Sequence, residues 1–347
     1  MTSPRASTGS RCRHIDLALQ GGGAHGAFTW GVLDRLLEDE RIEIDAISGT
    51  SAGALNAVVL ASGLALGRRE ARDALRRFWN RVSRAAGAGG PLLALFRDWT
   101  SGGAPHWYID WLTRTFSPYQ FNPLDINPLR DIVAAEVDFP RLRGLRKLQL
   151  FISATNVRTG ELKEFRGDEI SVEAVMASAC LPTLFRAVEI DGEAYWDGGY
   201  VGNPSLLPLI TESPAHDLML VQINPSSRPE LPTRPQEIVD RLNEITFNAS
   251  LVKELRTIAL LKSLLRAEGR PPGGGRAALF EQIDALRLHR IHAEEEMGRL
   301  GAASKMNPAW PLVQNLHRIG RDAAHTWLDR NFTHLGRRGT LALEARL

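Results

Sequence analysis

The residue of this sequence best suited to chemistry is a serine in a glycine-flanked turn. Gly49-Thr50-Ser51-Ala52-Gly53 matches the G-x-S-x-G nucleophile elbow, in which glycines relieve crowding around a sharp strand-to-helix turn. Considered alone, the motif predicts equally well an ordinary turn in which Ser51 caps a helix, because serine is common at that position. The neighbouring elements must decide between a nucleophile and a cap.

A second glycine-rich turn, Gly21-Gly22-Gly23-Ala24-His25-Gly26, precedes the serine turn by one helix and one strand. The apolar run Ile15–Leu19 predicts a strand before it, Ala27–Leu37 a helix after it, and Ile42–Ser48 the next strand. Two parallel strands joined by a helix open both turns at the same carboxyl edge of a sheet. Each turn also begins a helix, whose unpaired N–H groups and dipole favour negative charge. The two turns therefore offer a serine hydroxyl beside backbone donors, which is what acyl transfer from an ester requires.

Dinucleotide binding is the competing interpretation of the first turn. Gly21–Gly26 also fits G-x-G-x-x-G, and Glu43 or Asp45 lies at the spacing of a ribose-binding acid. Such an acid should stand at the end of the second strand, however, whereas Glu43 and Asp45 lie within it. The turn Gly49–Gly53 occupies the end of that strand and would have no role in a nucleotide site. A serine hydrolase explains both turns together.

A serine nucleophile needs a base, and the sequence offers histidines and one well-placed aspartate. The histidines after Ser51 are His106, His216, His289, His292, His317, His325 and His334. Most of them lie in arginine-rich helical stretches, which favours solvated surface positions. Asp197 stands between the apolar run Val188–Trp196 and Gly198-Gly199, so we expect it at a strand end, although a plain Asp-Gly turn has the same sequence. A carboxylate can act directly as a general base where geometry and pKa allow.

The three motifs in this order resemble the patatin-like phospholipase family, over about residues 15–205. Two further stretches, Ala177–Phe185 and Asn127–Arg130, also resemble it. The resemblance implies an α/β fold, a three-layer α/β/α sandwich with a mostly parallel central sheet. It also implies a Ser–Asp dyad without histidine.

Carried over to this sequence, the resemblance makes Ser51 the nucleophile and Asp197 the base. It assigns the oxyanion hole to backbone amides of Gly21, Gly22, Gly23, Ala24 and Ala52. The supporting motif residues are His25, Gly26, Gly49, Gly53, Gly198 and Gly199. The family usually has Arg or Lys at the position of His25, where a permanent cation could support an anionic head group or the oxyanion. Histidine is charged only part of the time near neutral pH, so no head-group preference is carried over.

Composition restricts the remaining possibilities. The 347 residues are 44% hydrophobic and 24% charged with a net charge of +2, which is typical of a globular protein and argues against a general nucleic-acid binder. Two cysteines give neither a disulfide framework nor metal spacing, and no metal or organic cofactor is expected. Neither a secretory signal nor an apolar run of membrane-spanning length is evident, so we expect a cytoplasmic protein, with peripheral contact at a membrane surface left open.

We predict three regions: a flexible tail at 1–14, a catalytic domain at 15–228 and a helical C-terminal region at 229–347. The predicted C-terminal helices are Gln236–Glu268, Ala277–Leu300 and Trp310–Phe332. An aromatic-rich insertion at about 85–125 reads either as core packing or as an apolar lid or acyl-chain channel.

Together these features predict a lipid acyl hydrolase of phospholipase A, lysophospholipase or esterase type, which acts through an acyl-enzyme on a lipid or other acyl ester. Two alternatives stay open: a nucleotide-binding protein that uses Gly21–Gly26, and a non-catalytic lipid-binding or scaffold protein. The oligomeric state is left open.

Overall fold

A computed structural model describes residues 12–87, 117–228, 230–268 and 275–342. The strands of this part of the chain are β1 (Arg13–Leu19), β2 (Ile42–Thr50), β3 (Gln149–Asn156), β4 (Leu162–Arg166), β5 (Val188–Ile190), β6 (Glu193–Asp197), β7 (Asp217–Val221) and β8 (Arg287–Ile291). They form one sheet in which hydrogen-bonded neighbours follow the order β5-β6-β3-β2-β1-β7-β8. β2 and β6 pair with successive parts of one edge of β3, and β4 pairs with its other edge. The run from β3 to β8 is parallel, whereas β4, β5 and β6 join by antiparallel pairing.

Helices cover both faces of the sheet. They are α1 (Gly26–Leu37), α2 (Ala52–Leu64), α3 (Arg68–Gly87), α4 (Pro118–Phe121), α5 (Pro128–Glu136), α6 (Phe139–Arg143), α7 (Val172–Ser178), α8 (Leu207–Glu212), α9 (Pro235–Glu268), α10 (Gly275–Ala285), α11 (Glu294–Gly298) and α12 (Trp310–Asn331). Side chains of α1, α2, α3 and α12 share one buried core, and side chains of α8, α9 and α10 share another. Because successive strand residues point to opposite faces, Leu17 and Leu19 of β1 face the first core and Ala18 faces the second. This confirms the predicted three-layer α/β/α sandwich.

The C-terminal region is mostly helical, as predicted, but one of its predicted helices contains a strand. Helices α9 and α12 lie close to their predicted bounds, but the predicted helix Ala277–Leu300 is wrong in its middle. There α10 ends at Ala285, and β8 pairs in parallel with β7 at the edge of the sheet. The polar residues of β8 do not show the apolar pattern of a buried strand, so the strand was not predicted. Arg287 and His289 instead bind the buried carboxylate of Asp217, at 2.8 and 2.9 Å.

The predicted outer segments lie largely outside the described residues. Strand β1 begins at Arg13, so the predicted tail ends earlier than residue 14, and residues 1–11 are not among those described. Most of the predicted apolar insertion, residues 88–116, is likewise outside them. Within the described ranges, no helix combines the length and the apolar character needed to cross a bilayer.

Candidate active site

Ser51 occupies a tight turn between β2 and α2. Its backbone has φ +54° and ψ −121°, a conformation that non-glycine residues seldom adopt and that is found where surrounding structure enforces it. A Cβ on Gly53 would lie 2.1 Å from the Leu19 carbonyl oxygen, and one on Gly49 would lie 2.8 Å from the Ala54 nitrogen. Both glycines of the motif are therefore required for the serine turn to pack against β1 and its own helix.

Two hydrogen bonds hold this turn in place. The Ser51 N–H donates to Ser178 Oγ at 2.9 Å, and the Thr50 hydroxyl donates to the Gly202 carbonyl at 2.6 Å. Ser178 is the last residue of α7 and is fully buried. Sequence reasoning assigned it no role, although it lies in the stretch 177–185 that carries part of the family resemblance.

Strand β3 brings Asp197 next to Ser51. β2 runs along one edge of β3 and ends where Thr50 pairs with Ser153. β4 pairs along the opposite edge of β3, so β6 must pair with β3 on the same edge as β2, beyond the point where β2 ends. Asp197, the last residue of β6, pairs with Ala154, which follows Ser153. Since Ser51 follows Thr50 directly, the ends of β2 and β6 that carry the serine and the aspartate meet beside two consecutive residues of β3, Ser153 and Ala154.

The Asp197 carboxyl group is completely buried and only half satisfied. Oδ1 accepts the Gly199 N–H at 2.7 Å, whereas Oδ2 has no hydrogen-bond partner among the described residues. Burial raises the pKa of Asp197 to about 6, against the lowering effects of the Gly199 N–H and the nearby Ser51 hydroxyl. The Ser51 hydroxyl therefore lies close to the carboxyl group without meeting full hydrogen-bond geometry, which a catalytic pair can lack before substrate binds.

The first glycine turn lies against the serine turn, as the parallel strands predict. A Cβ on Gly21 would lie 2.8 Å from Ser51 Cβ, so only glycine allows this approach. The N–H of Gly21 donates to Asn203 Oδ1 at 2.7 Å and is not open to a ligand, which corrects its assignment to the oxyanion hole. Its contribution is close approach, not hydrogen bonding.

Open donors remain further along this turn. The N–H groups of Gly22 and Gly23, and that of Ala52 at the start of α2, have no acceptor within the described part of the chain. Ala24 follows in the 3₁₀ turn Gly23–His25. Gly26 begins α1, where a Cβ would lie 2.6 Å from Ala52 Cβ, so this glycine lets the two helix starts pack closely.

His25 points into the protein and is neutral. It is 3% exposed, and its Nε2 lies 2.7 Å from Ser304 Oγ. Because the Ser304 hydroxyl donates to the Gly301 carbonyl at 2.6 Å, the proton between the two side chains belongs to Nε2 of His25. Burial, aided by the positive charge of Lys305, lowers the pKa of His25 to about 3. The expectation of a partly charged histidine is therefore wrong.

Helix α9 closes the site beside Asp197. A Cβ on Gly198 would lie 2.2 Å from the Ser153 carbonyl oxygen, and one on Gly199 would lie 2.5 Å from the Phe247 ring. The Asp-Gly-Gly turn is thus packed between β3 and a helix of the C-terminal region.

A family model of patatin-like phospholipases matches residues 17–210, more than half of the chain. The chain belongs to the patatin-like phospholipase family. It is therefore, in general terms, a lipid acyl hydrolase, and the family acts on lipid substrates. Among solved structures, it is similar to VipD from Legionella pneumophila, with 17% identity, 88% of this chain and 67% of that chain covered, and a TM-score of 0.36. No curated protein matches it.

The histidines of this patatin-like chain were the alternative candidates for the base. None of those described is hydrogen bonded to Ser51 or Asp197, and His106 lies outside the described residues. His289, expected on an exposed helix, is fully buried on β8 against Asp217. Nor do the described ranges contain a cluster of three or more side chains that could hold a metal ion.

The acids considered for ribose binding, Glu43 and Asp45, lie in the first half of β2, away from the glycine turn. Asp45 is bound to His14 at 2.8 Å, and His14 pairs with Glu43 near the start of β2. The glycine turn follows the opposite end, where Leu19 pairs with Gly49. This separation argues against a nucleotide site in this patatin-like chain.

Proposed function

We propose that the chain hydrolyses carboxylic esters of lipids with Ser51 as nucleophile and Asp197 as general base. The observation that carries the proposal is the buried Asp197 carboxyl group, one oxygen of which has no partner among the described residues. Asp197 ends β6 beside the end of β2, the strand that leads into Ser51. A buried, half-satisfied carboxyl group is costly, and such groups are concentrated at functional sites. Its pKa near 6 keeps it ionised, and still basic, at neutral pH.

The reaction follows from these groups. Ser51 Oγ attacks the acyl carbonyl carbon while Asp197 Oδ2 accepts its proton, and the carbonyl electrons move to the oxygen. The N–H groups of Gly22, Gly23 and Ala52 stabilise that oxyanion. When the tetrahedral intermediate collapses, the alcohol leaves with the proton from Asp197 and the acyl group stays on Ser51. Asp197 then takes a proton from a water molecule that attacks the acyl carbon, and it gives this proton to Ser51 Oγ as the bond between Oγ and the acyl carbon breaks and the fatty acid leaves.

Hydrolysis of p-nitrophenyl esters of several acyl lengths by Ser51→Ala and Asp197→Asn tests the dyad. We expect both variants to lose at least about 1000-fold in kcat/KM, since the nucleophile and its base act as a unit. The matched control is Ser263→Ala, which removes a hydroxyl of α9 that donates to the Leu260 carbonyl; this variant should keep full activity. An active Asp197→Asn variant would refute the assigned base.

Labelling by a fluorophosphonate separates this proposal from a non-catalytic lipid-binding protein. An activated Ser51 should react, and Ser51→Ala should not, whereas a capping serine stays unlabelled. Lipid binding without labelling or turnover would favour the binding protein. A cytoplasmic location with peripheral membrane contact stays a prediction of this function.

A further inference from the structure

A short C-terminal segment packs directly on the glycine turn. The 3₁₀ helix Ala302–Met306 brings the Lys305 carbonyl oxygen to 2.4 Å from the position that a Cβ on Gly23 would take. Gly23 has φ +58°, so the turn both permits and requires a residue without a side chain there. The bond between His25 and Ser304 fixes the same contact from the other side.

The Lys305 side chain reaches from this contact toward both halves of the site. Its Nζ donates to Asn224 Oδ1 at 2.6 Å, and Asn224 Nδ2 donates in turn to the Gly21 carbonyl at 3.2 Å. The ammonium group also lies 5.8 Å from the centre of the Phe247 ring, which packs on Gly199 next to Asp197. Lys305 therefore stands between the glycine turn and the Asp197 turn.

This ammonium group lacks a carboxylate partner. Within the described residues, no carboxylate oxygen lies within 4.0 Å of it. The charges of Glu244 and Asp240 act on Lys305 from a distance, and Glu244 is already bound by Arg228 and by Arg241 at 2.5 and 3.1 Å. Burial lowers the pKa of Lys305. Among the described residues, this half-buried cation contacts an amide oxygen and an aromatic face but forms no ion pair, so an anionic group would stabilise it.

We propose that Lys305 forms a cationic subsite that selects acyl esters carrying an anionic group, such as a phosphate, near the ester bond. The proposal rests on the hydrolase function proposed above. Because His25 is neutral, Lys305 supplies positive charge at the glycine turn from a segment outside the matched family region. The phosphate of a phospholipid or lysophospholipid has the charge and hydrogen-bond acceptors that an ammonium group binds.

The test compares an anionic with an uncharged ester. Short-chain monomeric substrates, dihexanoyl phosphatidic acid and p-nitrophenyl butyrate, avoid effects of membrane binding. For Lys305→Met, we expect the ratio of kcat/KM for the anionic over the uncharged ester to fall by about 10-fold or more, the size expected for loss of a hydrogen bond to a charged group. Lys305→Arg should retain most of the ratio, because it retains the charge. Lys262→Met, which removes a half-buried lysine bound to the Asp284 carbonyl, should leave the ratio unchanged.

A second readout does not depend on turnover. Decyl phosphate should bind the wild type at least about 10-fold more tightly than it binds Lys305→Met in isothermal titration, for the same reason. An equal loss on both esters, or equal binding of decyl phosphate, would overturn the subsite even if the hydrolase is active. Tight, Lys305-dependent binding without hydrolysis of either ester would support the anion site while refuting the dyad.

Discussion

The sharpest consequence of the site concerns the acid limb of its pH dependence. The proposed reaction needs the Asp197 carboxylate, so kcat/KM should fall as the free enzyme takes up a proton at this group. Burial raises the pKa of Asp197 to about 6, well above the value of 3.8 for an exposed aspartate. The limb should therefore lie within a pH range in which an ordinary aspartate would show no change.

The magnitude follows from the two pKa values. With a pKa of about 6, some nine-tenths of the Asp197 groups are ionised at pH 7 and about one-tenth at pH 5. Lowering the pH from 7 to 5 should then reduce kcat/KM by about 10-fold. An aspartate at its ordinary pKa would lose less than about a tenth of its ionised fraction over the same interval.

The assay is p-nitrophenyl butyrate hydrolysis between pH 4.5 and pH 8, followed at the isosbestic wavelength of p-nitrophenol. A histidine base would give a similar limb, so temperature must distinguish the two groups: carboxyl ionisation has an enthalpy near zero, whereas the imidazole limb moves to lower pH on warming. His25→Gln should leave the limb in place, because the pKa of His25 is about 3. A flat profile down to pH 5, or a limb that moves with temperature, would refute Asp197 as the base.

Three further variants test the surroundings of the site. Ser178→Ala leaves the Ser51 N–H without its acceptor, so kcat should fall by about 10-fold with little change in KM, in a steady-state assay; unchanged kcat would show that the elbow needs no such support. Asp16→Asn should become increasingly stabilising relative to wild type from pH 5 to pH 8 in thermal unfolding. Burial raises the pKa of Asp16 to about 8, so the wild type loses stability as this carboxyl group ionises with rising pH, whereas the asparagine does not ionise. A difference in melting temperature that is independent of pH would contradict this. Asp217→Asn should reduce the free energy of unfolding at pH 7 by about 3 kcal/mol in urea titrations, because it breaks a buried pair with Arg287 and His289; the exposed Asp329→Asn, as control, should change it by less than about 0.5 kcal/mol.

What could be predicted from the sequence was governed by local rules. Strand periodicity and turn composition place the two glycine turns at one edge of a sheet, because a right-handed crossover between parallel strands leaves no other arrangement. The strained serine turn follows from Gly49 and Gly53 flanking Ser51. Strand β8 was missed because its polar residues obscure the strand pattern, and their partner Asp217 lies far away in the sequence.

The completion of the site depends on contacts between distant parts of the chain, which no local pattern reveals. Gly21 was expected to donate to an oxyanion, yet its N–H is taken by Asn203, a residue separated from it by 182 positions. The aromatic ring that closes the Asp197 turn and the lysine beside the glycine turn both come from the C-terminal region, through Phe247 and Lys305. The same region also contributes β8, which pairs with β7 in the sheet. Residues of the C-terminal region therefore contribute both to the surroundings of the site and to the sheet. Changes within residues 230–342 should therefore alter substrate preference as well as stability, while the matched family region keeps the proposed dyad itself.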